Sequence, residues 1–146
     1  MQLIEPISRK LIRLGKLYQS VLAKHTAYLD VNQYHYILSL ICYYDGQLSQ
    51  KALAEMLGKD KSAMVNIINQ LTEKGFVYRE NNPNDRREQL LRVTQKAKDA
   101  VPHIVETFKN INTNITAGIS EEDLKIFESV LLRMQSNIKP LNTTTT

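Results

Sequence analysis

The chain has 146 residues, a formal net charge of +4, one cysteine and no tryptophan. That length fits one domain with a real core and excludes two independent ones, while a single cysteine excludes an internal disulfide and fits a reducing compartment. No apolar run approaches bilayer length and the opening MQLIEPISRK lacks a signal-peptide layout, so a soluble, cytoplasmic protein without a membrane partner is expected.

From Pro6 to Ala23, apolar residues recur at helical spacing: Ile7, Leu11, Leu14, Tyr18, Val21 and Leu22. Asp30 reads as the N-cap of a second helix, Val31 to Tyr44, apolar around much of its circumference and so expected to be buried on more than one side. Asp45 and Gly46 end it. A third helix runs from its N-cap Ser49 to Leu57, with Leu53, Ala54 and Leu57 on one face and Gly58 as its stop. Asp60 caps a fourth, Lys61 to Lys74, whose buried stripe is Met64, Ile67, Ile68 and Leu71, and Gly75 supplies a left-handed end.

The runs FVYRE and QLLRV have strand composition, and the NNPNDRRE between them is a cluster of turn formers, a loop from Asn81 to Glu88. Thr94 caps a long helix to about Gly118, with Ala97, Val101, Ile104, Phe108, Ile111 and Ile115 as its stripe. Ser120, with Asp123 in the capping-box position, starts the last helix, which presents Leu124, Phe127, Leu131 and Ile138. Residues 141–146 read as a disordered tail.

The order is α-α-α-α-β-β-α-α, mainly α with a small β-hairpin wing. Residues 31–94 form a winged helix-turn-helix core, and residues 1–30 and 95–140 carry more apolar surface than that core can cover. A helical homodimer is the simplest way to bury it. Lys59 to Asp99 holds nine Lys/Arg against six Asp/Glu, and the first thirty residues hold five against two. Helix followed by basic hairpin places a helix tip and an arginine-bearing loop on one surface, an arrangement suited to double-stranded DNA.

These residues resemble the MarR family of bacterial transcription regulators. The resemblance rests on GQLSQKALAEMLGKDKSAMVNIINQLTEKGFVYRE and most specifically on DRREQLLRVT, where Asp85, Arg87, Leu91, Val93 and Thr94 meet the family's wing pattern. It implies an obligate homodimer with helix 61–74 in the major groove and the wing 81–88 in the adjacent minor groove. It further implies that Asp85 and Arg87 pair to stiffen the wing, with Arg87 also meeting DNA. A narrow minor groove attracts a guanidinium, and a pre-ordered loop loses less entropy on binding.

The expected contacts follow. Ser62, Ala63, Val65, Asn66 and Asn69 face outward from helix 61–74 for the major groove; Asn can bond adenine in bidentate fashion, and Val65 or Ala63 can pack on a thymine methyl. Asp85, Arg86 and Arg87 form the wing site. Gln50, Lys51, Lys59 and Lys61 meet phosphates, which position the protein without reading sequence. Arg79 and Arg92 on the strands are open to structural ion pairs with Glu80 or Glu88. Many relatives carry arginine where Asn66 stands, so the departure argues against a guanine contact there and for an A/T-rich operator.

For an effector, the resemblance implies a crevice that takes small aromatic or phenolic acids, here placed near Arg13, Tyr18, His35 and Tyr36. Cys42 raises a redox reading, because one branch of the family senses peroxide through a cysteine, but that cysteine lies in the first helix and Cys42 lies late in the second. The zinc-responsive branch places two histidines one turn apart on the fifth helix; His103 is followed one turn on by Thr107, so no metal and no cofactor is expected. No nucleophile–base pair or glycine-rich phosphate loop stands at working spacing, so an enzyme is not expected. The expected function is a sequence-specific DNA-binding regulator, a repressor, released by a small effector. The alternatives are a winged-helix protein-interaction module and a redox-responsive regulator acting through Cys42.

Overall fold

The computed structural model describes residues 1–142. Six helices and one antiparallel hairpin follow in the expected order: α1 Ser8–His25, α2 His35–Tyr43, α3 Gln50–Leu57, α4 Lys61–Glu73, β1 Val77–Asn82, β2 Asp85–Val93, α5 Gln95–Ile115 and α6 Glu121–Asn142. This is the winged helix-turn-helix order, mainly helical with a two-stranded wing. The chain divides into two compact units, residues 1–111 and 112–146.

In the first unit one core joins the helices to the hairpin. Leu38, Ile41, Leu53, Met64, Ile68, Leu71, Phe76, Val77, Leu91 and Ile104 are all nearly inaccessible to solvent. Met64, Ile67, Ile68 and Leu71 form the buried stripe of α4, and each large aliphatic so removed from water contributes roughly 1.5–3 kcal/mol. The helix starts follow the sequence. Ser49 Oγ accepts from Ala52 N at 3.0 Å, Asp60 Oδ1 from Ala63 N at 2.7 Å, and Ser120 Oγ from Asp123 N at 3.1 Å. Thr94 Oγ1 accepts from Ala97 N at 3.3 Å while donating to Gly75 O at 2.6 Å, which fixes α5 to the end of α4. Gly58 and Gly75 take φ of 63° and 80°, the left-handed ends expected of them.

The second helix departs from expectation. Asp30 does not cap it: Asp30 lies in left-handed backbone with φ 52°, Asn32 follows with φ 56°, and α2 begins only at His35. The Asp30 carboxylate instead meets Lys74 Nζ at 3.0 Å. A short 3₁₀ turn, Ala27–Leu29, fills the gap after α1, and Val31 drops into the core at 1% exposure. Burial on several sides of α2 holds for His35, Ile37, Leu38 and Ile41, whereas Tyr36 and Tyr43 are 59% and 78% exposed.

His35 is a polar member of this interior. Thr26 Oγ1 donates to Leu22 O at 2.6 Å and lies 2.7 Å from His35 Nε2. The hydroxyl proton is spent on Leu22, so Nε2 carries the hydrogen and donates to Thr26. Burial lowers the His35 pKa.

The hairpin is longer than expected. β1 and β2 pair from Val77 with Val93 through Asn81 with Gln89, and then Asn82 pairs with Asp85. The step from Gln89 to Asp85 leaves Arg86, Arg87 and Glu88 bulged out of the ladder. The loop after α2 forms a third edge. Gly46 N donates to Leu91 O at 2.9 Å, Leu91 N donates to Leu48 O at 2.8 Å, and Ser49 bridges Leu90. Asp45 completes the joint, its Oδ1 accepting from Val93 N at 3.0 Å and lying 3.4 Å from Arg92 Nε. Gly46, with φ 79°, lies so close to Arg92 Nη1 that a Cβ there would run into it.

In the 112–146 unit, Leu141 and Asn142 are the last residues of α6 rather than the start of a tail. The remainder of the expected tail, residues 143–146, lies outside the described residues. The stripes expected on the first and last helices stay largely open: α1 buries only Leu22 and α6 buries no residue.

Two outcomes are expected. Asp45→Ala leaves the buried Val93 N–H without its acceptor and costs about 1–3 kcal/mol, read in a chemical unfolding curve. For His35, the folded pKa lies below the unfolded value of about 6.5. The unfolded state therefore binds the proton first, and stability is full above that value and declines as pH falls below it. Thermal unfolding between pH 7.5 and 5 should show this decline, and His35→Gln should flatten it.

Candidate functional site

The wing, α3 and the start of α4 enclose a cleft of about 990 Å³. Gln50 and Lys51 enter it from α3, Lys59 from the connecting turn, Lys61 and Val65 from α4, and Arg79, Asp85 and Arg87 from the hairpin. Five cationic side chains line it (Lys51, Lys59, Lys61, Arg79 and Arg87) against the acids Glu55, Asp85 and Glu88. All four residues expected to meet phosphates thus share one recess with the wing. A second, shallower recess of about 560 Å³ lies at the tip of α4, against Asp60, Lys61, Ser62 and Val65.

Ser62, Asn66 and Asn69 are exposed, and Ala63 and Val65 are half-buried. Ser62, Val65, Asn66 and Asn69 are spaced three, one and three residues apart and so form one helix face. The helix tip is tightly set. Asp60 accepts from both Ala63 N and Ser62 Oγ, and these bonds, that of Ala63 foremost, hold its carboxyl below the usual range. Ser62 is therefore engaged within the tip, while the amide of Asn66 makes no hydrogen bond among the described residues.

The wing is stiffened by a different bond from the one expected. Asp85 Oδ1 accepts from the backbone N of Arg87 at 3.0 Å, and no side-chain ion pair joins the two among the described residues. The carboxylate closes an Asx turn, and the guanidinium of Arg87 stays exposed. Asn82 makes a similar turn with Asn84 N at 3.0 Å and reaches across to Glu88 Oε2 at 3.3 Å. Arg86 is exposed on the same bulge.

Arg79 was open to an ion pair with Glu80 or Glu88, and instead its Nη2 donates to Gln50 Oε1 and to Asn69 Oδ1, each at 2.9 Å. One guanidinium ties β1 to both helices of the helix-turn-helix. Its partners are 29 and 10 residues away in sequence, which is why residue patterns did not reveal it. Arg92 takes the expected kind of partner, lying 3.6 Å from Glu80.

The residues expected around an effector are variously placed. Arg13 is exposed, Tyr18 is half-buried with its phenol pKa raised by burial, Tyr36 is largely exposed, and His35 is enclosed against Thr26. Cys42 is half-buried. Burial raises its thiol pKa, Asp45 adds to the rise, and Lys98 opposes it. That environment is the reverse of one that yields a reactive thiolate. Among the described residues no group of three His, Cys, Asp or Glu is placed to hold a metal, and no helix is long and apolar enough to cross a membrane.

Residues 29–89 match the family model described as the MarR family. Several solved structures share the fold, three of them as follows. A putative MarR family transcriptional regulator from Listeria monocytogenes, complexed with 26mer DNA, is 22% identical with a TM-score of 0.81 over 92% of this chain and 90% of that one. MepR of S. aureus, in a DNA complex, is 18% identical with a TM-score of 0.83 over 92% and 97%. The PcaV transcriptional regulator from Streptomyces coelicolor, in complex with its natural ligand, is 17% identical with a TM-score of 0.80 over 93% and 98%.

Proposed function

We propose that the chain, whose residues 29–89 match the MarR family model, is a member of that family and a sequence-specific DNA-binding transcription regulator, a repressor, rather than an enzyme. The observation that carries the reading is the cleft, where cations from α3, the turn before α4, α4 itself and the hairpin converge beside the outward face of α4. A phosphate backbone fits such a recess, because each phosphate neutralised by a Lys or Arg releases counterions condensed on the DNA and so adds sequence-independent affinity. α4 then lies in the major groove and the exposed bulge Arg86–Glu88 reaches the neighbouring minor groove, with Arg87 as its leading cation. Two structures of the same fold solved in complex with DNA support DNA as the partner.

The protein acts as a homodimer on a pseudo-palindromic site. Ile7 just before α1, Ile12, Leu14, Leu17 and Val21 on α1, and Ile126, Phe127, Val130, Leu132 and Ile138 on α6, are each at least 41% exposed in the single chain. That much apolar surface on terminal helices is what a partner covers. Two-fold symmetry presents the two α4 helices to grooves one turn apart, roughly 34 Å. The release signal is a small aromatic or phenolic effector, with Arg13, Tyr18 and Tyr36 supplying charge and aromatic surface. His35 contributes through the joint it makes with Thr26 rather than as an open contact. An effector that binds one spacing of the reading heads better than the other shifts the population and weakens DNA binding. The structure of PcaV with its natural ligand supports a small-molecule signal.

Titration of duplex DNA binding against salt checks the charge argument. Affinity should fall about a thousandfold or more from roughly 50 to 200 mM salt, as for roughly six to ten phosphate contacts. No duplex binding at the lowest salt would remove the reading and favour a protein partner for the wing. Arg87→Ala should weaken binding about tenfold or more with the sedimentation behaviour of the dimer unchanged. Binding equal to the parent would mean that the wing does not touch DNA.

A further inference from the structure

We infer that Arg79 sets the base preference of Asn69, turning it from a two-way amide into a donor toward the DNA; this rests on the DNA-binding reading above. Arg79 Nη2 spends its two hydrogens on two amide oxygens, Gln50 Oε1 on α3 and Asn69 Oδ1 on α4, each at 2.9 Å. A guanidinium has donors and no acceptor. The atom of each amide that faces it is therefore the oxygen, and the NH2 group is the end turned away.

Asn69 is exposed on the face that also carries Ser62, Val65 and Asn66. Bidentate recognition of adenine needs the amide oxygen and nitrogen side by side on the base edge, one accepting from N6 and the other donating to N7. With Oδ1 held against Arg79, Asn69 cannot present that pair. It offers N–H groups alone, and the adjacent positive charge polarises the amide and strengthens them. Guanine O6 and N7 and thymine O4 accept such a donor; adenine offers N7 alone, flanked by its N6 amino donor, and cytosine only its N4 amino donor, so a donor-only amide favours the keto bases. Asn69 is accordingly a reader of keto bases. Asn66, whose amide has no such partner, is left as the reader able to pair with adenine. Gln50 is fixed by the same guanidinium, its NH2 turned toward donation, the polarity that a phosphate oxygen requires.

The test selects duplexes from a random-sequence DNA pool with the wild-type protein, Asn69→Ala, Asn69→Asp and Arg79→Met, and compares base preferences position by position. The position relaxed by Asn69→Ala should prefer guanine or thymine in the wild type. Asn69→Asp keeps an acceptor for Arg79 and presents an oxygen outward, so the preference there should invert to adenine or cytosine. Arg79→Met frees the amide, and adenine should gain about tenfold at that position. If Arg79→Met does not fold, the inversion by Asn69→Asp decides alone. Arg79→Met lowering affinity for all sequences alike, with the preference at that position intact, would overturn the assignment, as would a wild-type preference for adenine there. No enrichment by the wild type would overturn the DNA-binding reading itself, and this inference with it.

Discussion

A two-stranded hairpin is marginal in water by itself, and everything proposed for this wing depends on what fixes it. The fixing element is the short loop after α2. Both backbone groups of Leu91 are taken by that loop, through Gly46 N and Leu48 O, while Val77, Leu91 and Val93 sink into the helical core. Asp45 adds a carboxylate against Val93 N. The base of the hairpin is thus part of the same packed body as α3 and α4, and the turn residues Pro83 and Asn84 and the bulge Arg86–Glu88 stand free of the ladder.

That constraint explains how charge and polarity are held in place on the proposed DNA-binding surface. Because the strands are anchored, an arginine on β1 can hold two amides on two different helices at fixed distance, and the cations of the cleft stay gathered despite mutual repulsion. The wing tip gains its stiffness locally, from carboxylate and amide side chains closing turns on their own backbone. This leaves the Arg87 guanidinium unspent. Preorganisation of that kind lowers the entropy lost on binding without adding a contact.

What the sequence made legible was local. Ser49, Asp60, Thr94 and Ser120 cap helices whose first turn lies three residues away, and the period of Met64, Ile67, Ile68 and Leu71 marks a buried face. Asp30 shows where local reading fails. It has the composition of an N-cap, but Lys74, 44 residues later, takes its carboxylate and the backbone turns left-handed. The third edge of the sheet and the reach of Arg79 were hidden for the same reason, since both join segments far apart in the chain. The Asp85–Arg87 link was foreseen as a pair of side chains and is a side-chain-to-backbone turn, a difference that spacing cannot encode. The exposed stripes of α1 and α6 were readable as apolar faces, but one chain does not contain what covers them.

On the proposed reading it is the cleft face, not the terminal helices, that meets DNA. Amide chemical-shift mapping of the isotopically labelled protein during titration with duplex DNA tests this most directly. The largest changes are expected at residues 50–51, 59–69 and 85–88, with α1 and α6 little affected. Changes concentrated on α1 and α6, with the wing and α4 silent, would contradict it.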